Sequence, residues 1–206
     1  MFNASKSIPD VPRHRMTRSE FRRVCVFCGA QPGRQARHAA VAAELGRLLA
    51  AAGIEVIYGG SATGCMGALA DGAIHAGGTV VGITPAILLD SERPHRSLTR
   101  LEVVADLAAR KQRMFELSEA IIVLPGGTGT LNEALEAITL KRLAVIAHPI
   151  VLINTDGCFD GLRSSRWRCI ELRHRTTRHD HYKMGPIRGT GMQVARQCDR
   201  IDAAAR

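Results

Sequence analysis

The chain has 206 residues, 46% of them apolar and only 4% aromatic, with a formal charge of +9. That length suits one α/β domain with a core of Ala, Val, Ile and Leu. No apolar stretch approaches the roughly 20 residues that cross a bilayer, and residues 1–23 lack the apolar segment of a secretory signal, so the expectation is a cytoplasmic protein without membrane contact.

The charge is uneven. From Leu162 onward eleven Lys or Arg face four Asp or Glu, whereas the segment before it is nearly balanced. A basic surface attracts nucleic acid. The chain nevertheless lacks the interleaved basic and aromatic residues that stack bases, so no specific nucleic-acid partner is expected. The six cysteines are irregularly spaced, and Cys25-x-x-Cys28 lies in an apolar run with no second pair to complete a zinc site. They read as buried strand residues. His75, His95 and His148 show no ligand spacing with carboxylates, so no metal is expected.

In chain order, residues 1–22 read as a basic, disordered extension and residues 23–161 as a single catalytic domain. Strand 23–28 ends at Gly29. Helix 36–52 follows, with Val41, Leu45, Leu48 and Leu49 at helical spacing and Gly53 closing it. Strand 54–58 runs into Gly59-Gly60, and helix 64–76 stops at Gly77-Gly78. Strand 79–84 is ended by Pro85, residues 88–99 form a loop, and 101–104 form a short strand. Helix 105–118 carries Arg110 and Lys111. Strand 120–124 enters a tight turn, Pro125 to Thr130, and helix 131–142 leads to a last strand, 150–154. Residues 162–206 lose this pattern, apart from a short helix near 167–172, and read as an atypical basic segment. Strand and helix alternating in this way predict an α/β fold: a Rossmann-like parallel sheet with helices on both faces. All three glycine turns follow strands, so they meet at the carboxyl edge of the sheet, where such folds bind ligands.

Gly126-Gly127-Thr128-Gly129-Thr130 has no Cβ at three positions, so backbone can approach a phosphate closely. The helix behind it adds free amides and a partial positive charge. No Gly-Lys-Ser/Thr follows, so it is not a P-loop, and a packing turn remains the competing account. Glu133 admits two roles. Thr130-x-x-Glu133 has capping-box spacing, but a carboxylate there can also stabilise an oxocarbenium-like transition state or orient water. Arg110 and Lys111 diverge by about 100° on their helix. They are either a solvated basic surface or one of them reaches the ligand, Arg being suited to bidentate contact. Gly59-Gly60 and Met66 belong to a second glycine turn, read as pocket wall.

The stretch from Leu124 to Glu133 resembles the PGGxGTxxE signature of the LONELY GUY family, and Arg110-Lys111 resembles its partner motif. Val26-Phe27-Cys28-Gly29 and Tyr58-Gly59-Gly60 with Gly64-x-Met66-Gly67 are similar to it as well. The resemblance covers about residues 23–161. It implies a cytokinin riboside 5′-monophosphate phosphoribohydrolase, usually dimeric, that cleaves N6-modified AMP, and often AMP, to free base and ribose 5-phosphate without a cofactor. It assigns Arg110 and Glu133 as the catalytic pair and Gly126, Gly127, Gly129 and Thr130 as the phosphate loop. Glu92 and Thr139 fall on substrate-contacting positions, and Gly29, Gly59, Gly60, Met66, Lys111 and Thr128 join the expected substrate site. Leu107, Thr128 and Asn132 depart from common residues of the family, which bears on base preference. The tail departs most, as a frameshifted or degenerate end would. The competing function is a nucleotide or molybdenum-cofactor carrier that binds without hydrolysis. The missing G-x-G-x-x-G with a distal acid argues against a dinucleotide oxidoreductase, a third reading.

Overall fold

The computed structural model describes residues 21–31, 36–162 and 183–185. Strands β1 (Arg23–Phe27), β2 (Glu55–Tyr58), β3 (Val80–Pro85), β4 (Arg100–Val104), β5 (Ala120–Val123), β6 (Ile150–Ile153) and β7 (Lys183–Gly185) form one sheet. Its order is β4-β3-β2-β1-β5-β6-β7, and every neighbouring pair is parallel.

The inner strands read as unbroken apolar runs because both faces are covered. Val24 and Val26 enter one core and Cys25 and Phe27 the other. Helices α1 (Ala36–Ala51) and α2 (Gly64–His75) pack on the first face through Leu45, Leu49, Leu69 and Ala73. Helices α3 (Leu107–Leu117) and α4 (Thr128–Arg142) cover the second through Met114, Phe115, Ala134 and Ala137. The α1–α2 contact is close because glycine sits on both sides of it. A Cβ on Gly46 would stand 2.1 Å from the Leu69 carbonyl oxygen, and one on Gly72 would stand 2.1 Å from that of Ala43.

The chain winds from β1 outward to β4, then crosses to β5 on the other side of β1. The switch point therefore lies between the carboxyl ends of β1 and β5, where the flanking connections diverge and leave a crevice.

Several boundaries differ from the sequence expectation. Pro85 is the last residue of β3 rather than its stop. It lies opposite Val104, past Gly82, the last residue paired with β2, where one side of the ladder has already ended. Helix α3 begins at Leu107, because the Asp106 carboxylate caps it by accepting the Ala109 amide at 2.8 Å. Strand β7, in the basic tail, was not expected. The short helix near 167–172 and residues 1–20 of the basic extension lie outside the described residues. Among the described residues no helix is long and apolar enough to cross a membrane.

Candidate active site

The switch-point corner is built by glycines that fit for different reasons. The Gly29 amide donates to the Pro125 carbonyl at 3.1 Å, and its carbonyl accepts the Met66 amide at 3.2 Å. This joins the turns after β1, β2 and β5. A Cβ on Gly126 would stand 2.1 Å from Thr130 Oγ1 and 2.9 Å from the Gly29 amide nitrogen, so bare backbone is required there for packing. Gly127 and Gly129 meet nothing within 4 Å. Their missing side chains leave open space in a cleft of about 490 Å³.

Helix α4 starts earlier than the sequence suggests. Gly127 is its N-cap, and the first bond of the ladder runs from the Leu131 amide to the Gly127 carbonyl at 3.1 Å. The amides of Thr128, Gly129 and Thr130 therefore have no partner within the helix, and all three residues line the cleft. Unpartnered amides at a helix N-terminus have the geometry and partial positive charge that suit an anion. The earlier start also removes the capping-box role. Thr130 is the third residue of the helix and Glu133 the sixth, so Glu133 lies beyond reach of the N-cap amide. Its side chain is instead buried and lines the cleft.

Arg110 projects from α3 into the same cleft and is only 4% exposed. Its Nη2 donates to the Gly59 carbonyl at 2.9 Å and stands 3.6 Å from Glu92 Oε2. Gly59 must be glycine for this: a Cβ would lie 2.0 Å from Nη2 and 2.7 Å from Met66 Cε. Arg110 Nε and Glu92 Oε2 are buried without hydrogen-bond partners, an arrangement suited to a ligand group that both accepts and donates, such as a hydroxyl. Burial pushes the Glu133 carboxyl up to about 7, with Arg110 and Lys111 opposing the rise and Glu92 and Glu136 adding to it. A carboxyl poised there can hold or release a proton at neutral pH.

A side chamber of about 360 Å³ shares the walls Glu92, Arg110 and Glu133 with the cleft and has Leu88 and Leu107 among its other walls. Lys111 lies here, not in the main cleft, as the divergence of neighbouring helical residues requires. It bonds Asn132 Oδ1 at 3.1 Å and pairs with Glu136. Thr139 stands apart from both spaces. It is exposed farther along α4, its hydroxyl donating to the Leu135 carbonyl at 2.8 Å. Gly60 shapes the turn with φ of +88°. The remaining expected residues, Gly29, Met66, Glu92, Gly126, Gly127, Thr128, Gly129 and Thr130, all line the main cleft.

Sequence reasoning missed His38, Cys158 and Phe159 in the lining. The signal was available. Residues 156–160 follow β6, so they fall on the same edge of the sheet as the glycine turns. Cys25 and Cys28 are buried and free, as expected of strand residues.

A family model described as "Possible lysine decarboxylase" matches residues 66–190. "Probable cytokinin riboside 5′-monophosphate phosphoribohydrolase LOGL5" of Oryza sativa subsp. japonica is 44% identical over 147 residues, which is 71% of this chain and 59% of that protein. "Cytokinin riboside 5′-monophosphate phosphoribohydrolase LOG3" of Arabidopsis thaliana is 40% identical over 157 residues, or 76% of this chain and 73% of that protein. The solved structure of the molybdenum cofactor binding protein of Rippkaea orientalis superposes with a TM-score of 0.64 at 19% identity, covering 87% of this chain and 96% of that one. At that identity the likeness is one of fold. By sequence and by the model it matches, the chain belongs to the family of the cytokinin riboside 5′-monophosphate phosphoribohydrolases.

Proposed function

We propose that the protein hydrolyses the N-glycosidic bond of adenosine 5′-monophosphate and its N6-modified forms, releasing free base and ribose 5-phosphate. The observation that carries this is buried Arg110 and a buried Glu133 carboxyl raised to about 7, beside the unpaired amides of α4. The 5′-phosphate docks on the amides of Thr128, Gly129 and Thr130, with Gly29, Gly126 and Gly127 giving it room. Arg110 and Glu92 take the ribose, and Gly59, Gly60 and Met66 back them. The base lies toward the side chamber with Lys111. As the C1′–N bond breaks, its electrons leave with the base and positive charge grows on the sugar. Ionised Glu133 stabilises that charge and draws a proton from the attacking water, whose oxygen bonds C1′, while the departing base takes up a proton from solvent to leave as the neutral free base.

The reading extends to a cytoplasmic homodimer. Leu107, Leu131, Leu135, Leu143 and Val145 are exposed apolar side chains on or beside α3 and α4, and a second copy would cover them. Thr139, on the same helix, would serve the site of the second subunit.

Chromatography of products after incubation with AMP and isopentenyl-AMP tests the proposal. Free base is expected, and is lost in Glu133→Ala and Arg110→Ala. Tight AMP binding with no base release would overturn hydrolysis in favour of a carrier.

A further inference from the structure

Glu92 lies between β3 and β4 on a segment that has no helix or strand after the short turn Ala86–Leu88. Something else must hold its carboxylate against Arg110. The Gly60 carbonyl accepts the His95 amide at 2.9 Å, the Ala62 amide donates to the Arg93 carbonyl at 2.8 Å, and Ser61 bridges Pro94. The neighbouring carbonyl, that of Gly59, holds Arg110. One turn thus fixes the guanidinium and the loop bearing its carboxylate partner.

The His95 side chain adds a tether that a generic residue could not make. Its Nδ1 accepts the Ser97 amide at 3.2 Å, so Nε2 carries the proton and donates to Asp71 Oδ1 at 3.0 Å. Asp71 belongs to α2, next to Gly72, which seats that helix against α1. The imidazole therefore locks the loop to a rigid helix, three residues from Glu92.

We infer that His95, through Asp71, is a positioning residue that sets the Glu92 carboxylate for substrate; this rests on the hydrolase reading above. The test is a double-mutant cycle on the full chain, with kcat/KM for AMP and Tm measured for each protein. His95→Ala is expected to lower kcat/KM about 100-fold, as a misplacement of about 1 Å can. In a Glu92→Gln background the further loss should shrink to about threefold or less, because the group being positioned is already gone. His95→Gln, whose amide can still donate to Asp71, should recover most of the loss. Asp71→Ala, at a site where the side chain is 56% exposed, makes the same cut if His95→Ala fails to fold. Equal losses in both backgrounds, or no loss with the tether cut, overturn the inference while leaving the hydrolase reading standing. A parent protein that releases no base overturns both.

Discussion

Replacing Glu133 by Gln removes the proton equilibrium of the cleft while keeping the shape of the side chain. Burial holds the Glu133 carboxyl near 7, against an ordinary value of 4.5. Below 4.5 the group is protonated in both the folded and the unfolded chain and costs nothing. Between those values only the folded chain keeps the proton, so stability falls as pH rises. Above 7 the whole difference is present, about 3 kcal/mol at 1.36 kcal/mol per pH unit. Gln never ionises. Glu133→Gln should therefore match the parent near pH 4.5 and exceed it by up to about 3 kcal/mol near pH 8.5, while losing base release. Denaturant unfolding of both proteins at several pH values measures the gap, with m-values confirming one transition. Activity should follow the same group: the parent's kcat/KM for AMP should rise with pH through a limb near 7. A stability gap independent of pH, or one that widens toward acid, would refute the claim that Glu133 is buried without a counter-charge of its own.

The glycines of the corner give a paired prediction. Gly129→Ala adds a methyl to open space in the first turn of α4. It should preserve Tm or raise stability by up to about 1 kcal/mol, yet raise KM for AMP about tenfold by filling the phosphate cradle. Gly126→Ala drives its methyl onto Thr130 and Gly29 and should destabilise by about 1–3 kcal/mol; thermal melts beside steady-state kinetics separate the two. Gly72→Ala, facing the Ala43 carbonyl at 2.1 Å, should cost about as much in denaturant titration.

Much of this molecule is legible in the chain itself. Apolar runs too continuous for a half-exposed sheet, three of them leading into glycine turns, announce buried parallel strands whose corners meet at one edge. Where the reading fails, competing forces explain why. Thr130-x-x-Glu133 has capping-box spacing, and three glycines argue against helix before it. The fold nonetheless starts α4 at Thr128, with the Gly126 backbone packed against Gly29 and Thr130. Strand β7, Lys183-Met184-Gly185, has no apolar run to reveal it; it exists because β6 offers an open parallel edge. Glu92 has no local signature. Its place follows from backbone bonds to a turn more than thirty residues earlier in the chain, a relation that only the folded topology creates.

Burial raises the Glu133 carboxyl to about 7, and the charges around the cleft leave that rise standing. Glu92 stands 3.6 Å from Arg110, and Glu136 is paired with Lys111. Two cations are thus matched by two carboxylates, and Glu133 is buried with no ion pair of its own among the described residues. In the empty site its ionised form is opposed by desolvation and by both neighbouring carboxylates. A sugar losing its base supplies the missing counter-charge, because C1′ becomes positive as the bond lengthens. The interaction is then weak with the neutral ground state and strong with the transition state, which is the condition for raising kcat rather than lowering KM. The same burial that destabilises the folded chain above neutral pH therefore strengthens the attraction on which the proposed hydrolysis depends.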